Sequence, residues 1–248
     1  MIMSLILISF NLANAFEASK VIDGATLAGE QSIKNVSMAT AKIDSTRIVR
    51  GYRSQQFQGS FDVIKNGIIN FDEKCNNSYK DKRKFTDKSK DCKYLNKNLI
   101  ESVIIKKTNF SGLKETNEVE RYVVTRYIQN SVGTFAQNDL MVVLEYTNSS
   151  KEKVFEIKQT MLSDEESKNY LENPIKRDSP FKEASGRFMV TEKAKGDVVF
   201  EYEYIGKTDK WYLNKDMFLS KIYEGTADGI HDLFTSVELA NNAKKASK

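Results

Sequence analysis

The 248-residue sequence predicts an α+β domain in which a curved antiparallel β-sheet wraps around a long C-terminal α-helix. Three observations carry that expectation. The segment 211–241 contains no proline, and Ile230, Leu233, Phe234, Val237 and Ala240 recur along it at helical spacing, giving one apolar face. The stretch before it is a series of short apolar runs, several alternating with period two as half-buried strands do. No internal repeat and no long Pro/Gly/Ser linker divides the chain, so sheet and helix belong to one layered unit.

Taken from the N-terminus, residues 1–15 carry no charged side chain and hold the run Leu5-Ile6-Leu7-Ile8. They end in Ala13-Asn14-Ala15, whose small residues suit signal-peptidase cleavage before Phe16. The apolar run is shorter than the roughly 20 residues that span a bilayer, which favours a cleaved signal. An uncleaved anchor is the alternative, since no Lys or Arg precedes the run. The mature chain is therefore expected to be exported, to a periplasm or outside the cell. Residues 16–45 read as an N-terminal arm or a first strand, 46–241 as the domain, and 242–248 as a flexible tail. Ser60 precedes Phe61, Val63, Ile64, Ile68, Ile69 and Phe71, the spacing of a serine-capped helix. Gly67 inside that pattern costs about 1 kcal/mol in propensity.

Cys75 and Cys92 are the only two cysteines. In an exported chain such a pair is expected as a disulfide, whose loop closure contributes about 3 kcal/mol. With His231 the only histidine and no second cysteine pair, no metal site is expected. No glycine-rich phosphate loop is present, and no cofactor is expected. From Lys80 to Lys93, a run that begins inside the disulfide loop and ends one residue past Cys92, Lys80, Lys82, Arg83, Lys84, Lys88, Lys90 and Lys93 outnumber Asp81, Asp87 and Asp91 by an excess equal to the net charge of the whole chain, +4. A solvated loop is the ordinary reading of such a run. The functional one is contact with a membrane surface, where each cation contributes about 1 kcal/mol against anionic headgroups. Aromatic residues are not interleaved for base stacking, so nucleic acid is not an expected partner.

Strands are expected over 98–108, 118–132, 139–147, 153–162, 187–195 and 198–205, the last two joined at Gly196-Asp197. Ser163, with Glu166 three residues on, forms a capping box for a short polar helix. In the last strand Phe200, Tyr202 and Tyr204 face one way, and Glu201 and Glu203 the other. Asn214 is placed to cap the closing helix, and Asp216 to offset its dipole in the first turn.

This element order resembles the START-like superfamily, the SRPBCC or helix-grip domains that include lipid-transfer and polyketide-cyclase-like proteins. The run from Phe135 through Asn138-Asp139 to Val142 looks like the family's Arg-Asp opening of a central strand, with Asn138 where Arg is usual. Trp211-Tyr212-Leu213-Asn214 looks like the segment before the closing helix, without the usual preceding proline. Lys97-Asn98-Leu99-Ile100-Glu101-Ser102 fits the strand after the early helices. The resemblance covers about 48–240 and implies a cavity between sheet and helix that shields a lipid, sterol or other apolar molecule from water. The expected ligand contacts are Tyr122, Tyr146, Phe155, Phe200, Tyr202 and Tyr204, with Met217 and Phe234 from the closing helix, although such residues also fill ordinary cores. Arg121 and Arg126 fall on opposite faces of one strand, and Arg126 is assigned as the inward one, suited to a headgroup or carboxylate.

No catalytic residue is expected. His231 adjoins Asp232 without a nucleophile motif, and Glu201 and Glu203 sit on the face expected to meet solvent. The expected function is an exported protein that binds a lipid or another hydrophobic small molecule. The alternative is a non-enzymatic envelope protein that docks a partner through its basic disulfide loop.

Overall fold

The computed structural model describes residues 27–110, 117–130, 133–172, 178–213 and 215–246. The expected signal and the Asn214 cap lie outside them. One sheet of eleven strands forms the body: β1 (Ala28–Ile33), β2 (Val36–Ile43), β3 (Thr46–Gln58), β4 (Lys74–Cys75), β5 (Tyr94–Leu95), β6 (Leu99–Asn109), β7 (Glu118–Asn130), β8 (Gly133–Thr147), β9 (Lys153–Met161), β10 (Glu183–Ala194) and β11 (Asp197–Thr208). Among the described residues, three α-helices complete it: α1 (Phe61–Ile69), α2 (Asp164–Lys168) and the 28-residue α3 (Leu219–Ala246). The strand order is β1-β2-β3-β11-β10-β9-β8-β7-β6-β4-β5, so the first long strands join the last ones through β3 and β11. Neighbours are antiparallel except β4 with β5. This is the helix-grip α+β architecture.

One face of the sheet is apolar and the other polar, because the strands alternate. On β11 Val198, Phe200 and Tyr202 are buried, while Glu201 accepts from the Tyr52 hydroxyl (2.6 Å) and Glu203 pairs with Arg50 (2.5 Å) on the far face. Cross-strand polar pairs of this kind satisfy a solvent face without attracting a second layer. The apolar face closes on α3, whose Ile222, Tyr223, Ala227, Ile230, Phe234 and Val237 are buried at successive turns. Helix α1 wedges beneath. Gly67 of α1 faces Val237 of α3, where a Cβ would make an ordinary contact, 3.4 Å from Val237 Cγ2.

Two expectations change and one alternative is selected. Of the two readings for 16–45, the described part takes the strand one, as a pair: β1 and β2 form a hairpin whose Lys34 and Asn35 both take positive φ, and β2 pairs with β3 from Ser37↔Tyr52 to Ile43↔Thr46. That two-residue turn is of the kind that matches strand twist, here without the usual glycine. The sheet therefore begins well before residue 46. The closing helix starts later than expected: Asp216–Phe218 is a 3₁₀ turn, and Asp216 pairs with Arg47 (2.6 Å). It also ends later, at Ala246, inside the segment expected as a tail. Alanine and lysine are good helix formers, and lysines suit the negative end of the dipole.

Candidate functional site

Between the inner face of the sheet and the N-terminal half of α3 lies a cavity of about 190 Å³. Its helix wall is Ile222, Gly225, Thr226, Gly229, Ile230 and Leu233, which recur at turn spacing. A Cβ on Gly229 would meet nothing within 4 Å, so this helical glycine borders open space. Facing it are Phe135, Met141, Phe188 and Leu213, a mainly apolar wall. Phe188 stacks on Tyr202 with ring centroids 4.2 Å apart, and Phe181 meets Tyr204 edge-on at 6.0 Å. Burial pushes the hydroxyls of Tyr202 and Tyr204 well above the usual phenol range, so both stay neutral.

The polar groups gather toward the β4–β8 side. Arg126 Nε donates to Asp139 Oδ2 at 2.6 Å, and Gln137 Nε2 donates to Asp139 Oδ1 at 2.8 Å. Asp139 is 0% exposed, and β7–β8 register places Gln137 opposite Arg126. Burial alone would lower the basicity of Arg126, but the Asp139 charge and hydrogen bond help raise it overall, so it remains a cation. Lys74, from the two-residue β4, reaches the same space. Its Nζ donates to the Ile68 carbonyl and sits 5.2 Å from the Phe71 ring centroid. Burial, with the nearby Arg126 charge second, pushes its ammonium down to about 7.

The residues assigned from sequence divide into three groups. Arg126, Tyr202 and Tyr204 line the cavity. Tyr122, Phe155, Phe200 and Phe234 face inward but pack solidly beside it: Phe200 stacks on Phe234 at 4.3 Å, and Tyr122 meets Phe71 edge-on at 5.5 Å. Tyr146 and Met217 are misplaced. Tyr146 lies on the outer face, where its hydroxyl donates to Glu156 (3.0 Å), itself paired with Arg187 (2.7 Å). The inward side chains of β8 are odd-numbered, as Met141 and Val143 show. Met217 is 74% exposed in the 3₁₀ turn, because the helix that would have turned it inward begins only at Leu219. Lys74, Gln137, Asp139 and Phe188 were missed. Parity with Met141 points Asp139 inward; a two-residue strand leaves no such signal for Lys74.

The expected disulfide joins Cys75 to Cys92 with Cα atoms 5.3 Å apart. Fully buried Glu101 pins the loop it closes, accepting from the backbone N–H groups of Lys84 (2.5 Å), Phe85 (3.2 Å) and Thr86 (3.1 Å) and from the Thr86 hydroxyl (2.8 Å). Several of the loop's cations have partners: Lys80 with Asp91 (2.5 Å), Lys93 with Glu73 (3.0 Å), and buried Arg83 with the Lys90 carbonyl (2.9 Å). His231 stands apart from the cavity, its Nδ1 3.1 Å from Arg53 Nη1, and Asp232 accepts the Lys97 N–H at 2.7 Å. Among the described residues no helix is long and apolar enough to cross a membrane.

The fold is a curved antiparallel sheet closed on a long C-terminal helix with a cavity between them, the helix-grip architecture. No family model and no curated protein matches the chain. Among solved structures it is similar to human STARD10, at 12% identity over 92% of this chain and 80% of that one, with a TM-score of 0.49. It is also similar to human StAR-related lipid transfer protein 5, at 9% identity over 92% of this chain and 94% of that one, TM-score 0.48. A third likeness is to the Zhui aromatase/cyclase of a Streptomyces species, at 8% identity over 78% and 93%, TM-score 0.41.

Proposed function

We propose that this chain is an exported, non-enzymatic binding protein that holds a lipid or another hydrophobic ligand between its sheet and α3. The observation that carries the reading is the cavity itself: a mainly apolar space under a helix, with Lys74, Arg126 and Gln137 gathered at its β4–β8 side. The uncharged apolar run at residues 1–15 and the disulfide support export. The cavity's charged groups are cations and one paired carboxylate, a set suited to orienting a ligand. The basic loop suits transfer at a membrane surface, because Phe85 is 50% exposed among its lysines and offers an apolar contact beside the charges.

Native mass spectrometry with organic extraction, on protein purified from its own compartment, tests the reading. A discrete co-purified apolar molecule, absent when Tyr202 is replaced by aspartate in a chain that still folds, is the expected result. Ligand-free protein that also ignores added lipids and sterols would overturn it.

A further inference from the structure

One cation in the cavity, Lys74, pairs with no carboxylate among the described residues. The charge of Arg126 is matched by Asp139 at 2.6 Å, and the second oxygen of that carboxylate is held by Gln137 at 2.8 Å. Lys74 has a backbone carbonyl and an aromatic ring beside it, and among the described residues no carboxylate pairs with it. The other polar groups lining the space are the neutral side chains of Asn96, Asn98, Ser102, Tyr202, Tyr204 and Thr226, and Lys221, whose ammonium meets Glu224 at 3.3 Å. The β4–β8 side of the cavity therefore holds, in Lys74, a cationic site without a carboxylate partner among the described residues.

We infer that the cavity selects an amphiphile whose headgroup carries a single negative charge, a carboxylate or a phosphodiester, seated against Lys74 with Arg126 beside it. This inference rests on the binding reading above and names its ligand class. The argument is one of desolvation. An apolar chain lying along Phe188, Ile230 and Leu233 excludes water from the Lys74 ammonium. A neutral headgroup leaves that ammonium without hydration or a counter-ion, a state costly enough that the amine gives up its proton instead. A cationic headgroup adds repulsion from Lys74 and Arg126. An anionic headgroup replaces the lost hydration with a charge-assisted hydrogen bond, so selectivity arises as much from penalising the wrong ligands as from holding the right one.

The cation is also held in place before a ligand arrives. Lys74 immediately precedes Cys75, which is bonded to Cys92 and paired to Glu101 of β6 and Leu95 of β5. A side chain fixed by its own scaffold loses little freedom on binding. Its depressed basicity adds a second signature: above neutrality an anion must bring a proton to Lys74, so affinity falls as pH rises.

The test is isothermal titration calorimetry on the full delipidated chain with oleate, oleyl alcohol and oleoyl lysophosphatidylglycerol at monomeric concentrations, at pH 6.5 and 8.5. Wild type is expected to bind at least one of the anions about tenfold or more tighter than the alcohol at the lower pH, and to lose part of that preference at the higher pH. The tighter anion identifies the headgroup. Lys74→Met and Lys74→Gln, each checked for fold by circular dichroism, are expected to bring the anions down to the alcohol and leave the alcohol unchanged. Equal affinity for all three in wild type, or an anion preference that survives both substitutions, overturns the headgroup inference and leaves the binding reading standing. Failure of every ligand to bind overturns both.

Discussion

The two halves of α3 face the same sheet and are built on the same helical periodicity, yet one half packs solid and the other leaves a hollow. Toward its C-terminus Phe234 stacks on Phe200 and Val237 closes against Gly67 of α1. Toward its N-terminus Gly225 and Gly229 occupy the corresponding inward turns, and the sheet opposite them carries Arg126, Asp139 and Tyr202 rather than aliphatic side chains. Periodicity selects which face of a helix turns inward; the volume at each inward position decides whether that face becomes core or cavity wall. A glycine within a helix weakens it, so one that borders empty space marks a place where space has a use.

That contrast is most directly broken at the solid end. Phe234→Ala removes a fully buried ring and its stack, with an expected loss of about 3–5 kcal/mol in urea-melt stability. Next comes the polar side of the hollow. Asp139→Asn leaves the Arg126 charge uncompensated, with an expected loss of about 3 kcal/mol, measured the same way. A loss confined to a few tenths of a kcal/mol would mean that solvent, not Asp139, balances the arginine.

A third measurement compares the empty wild type with Lys74→Met as pH rises. The folded-state value of Lys74 is about 7, below the 10.5 of an ordinary lysine. Between those values the unfolded chain binds more protons than the folded one, so the contribution of Lys74 to stability rises with pH across that window and its penalty is full below it. The difference in melting temperature between the two proteins should shrink from pH 7 to pH 9.5. Arg126, Asp139, Tyr202 and Tyr204, the charged and titratable groups around it, are common to both proteins and cancel in the difference. A constant gap would place the ammonium in ordinary solvent.

Much of the architecture was legible in the alternation of Phe200, Tyr202 and Tyr204, in the spacing of Ile230, Phe234 and Val237, and in the Ser163–Glu166 capping box, which the structure contains in full. These are local patterns with a single physical period each. The β1–β2 hairpin escaped notice because Lys34-Asn35 is a turn without glycine. Strand parity sets Tyr202 and Tyr204 on the face that lines the cavity and separates Arg126 from Arg121 without saying which turns inward, and the same parity, applied to β8, excludes Tyr146. Met217 depended on where the helix begins, which caps decide, and the expected cap is outside the described residues. The division of inward aromatic residues between core and cavity could not be read at all. It depends on Gly225 and Gly229 of α3 standing over particular strands, a long-range pairing that no local pattern encodes.

The most direct test of the hollow as a binding site is Gly229→Leu. The new side chain enters open space, and leucine favours the helix over glycine, so stability should hold or rise by up to about 1 kcal/mol. Titration of delipidated wild type and variant with cis-parinaric acid should then show saturable fluorescence enhancement in the wild type and none in an equally stable Gly229→Leu. Equal saturable binding by both proteins would contradict the account, since the ligand would then sit somewhere other than under α3.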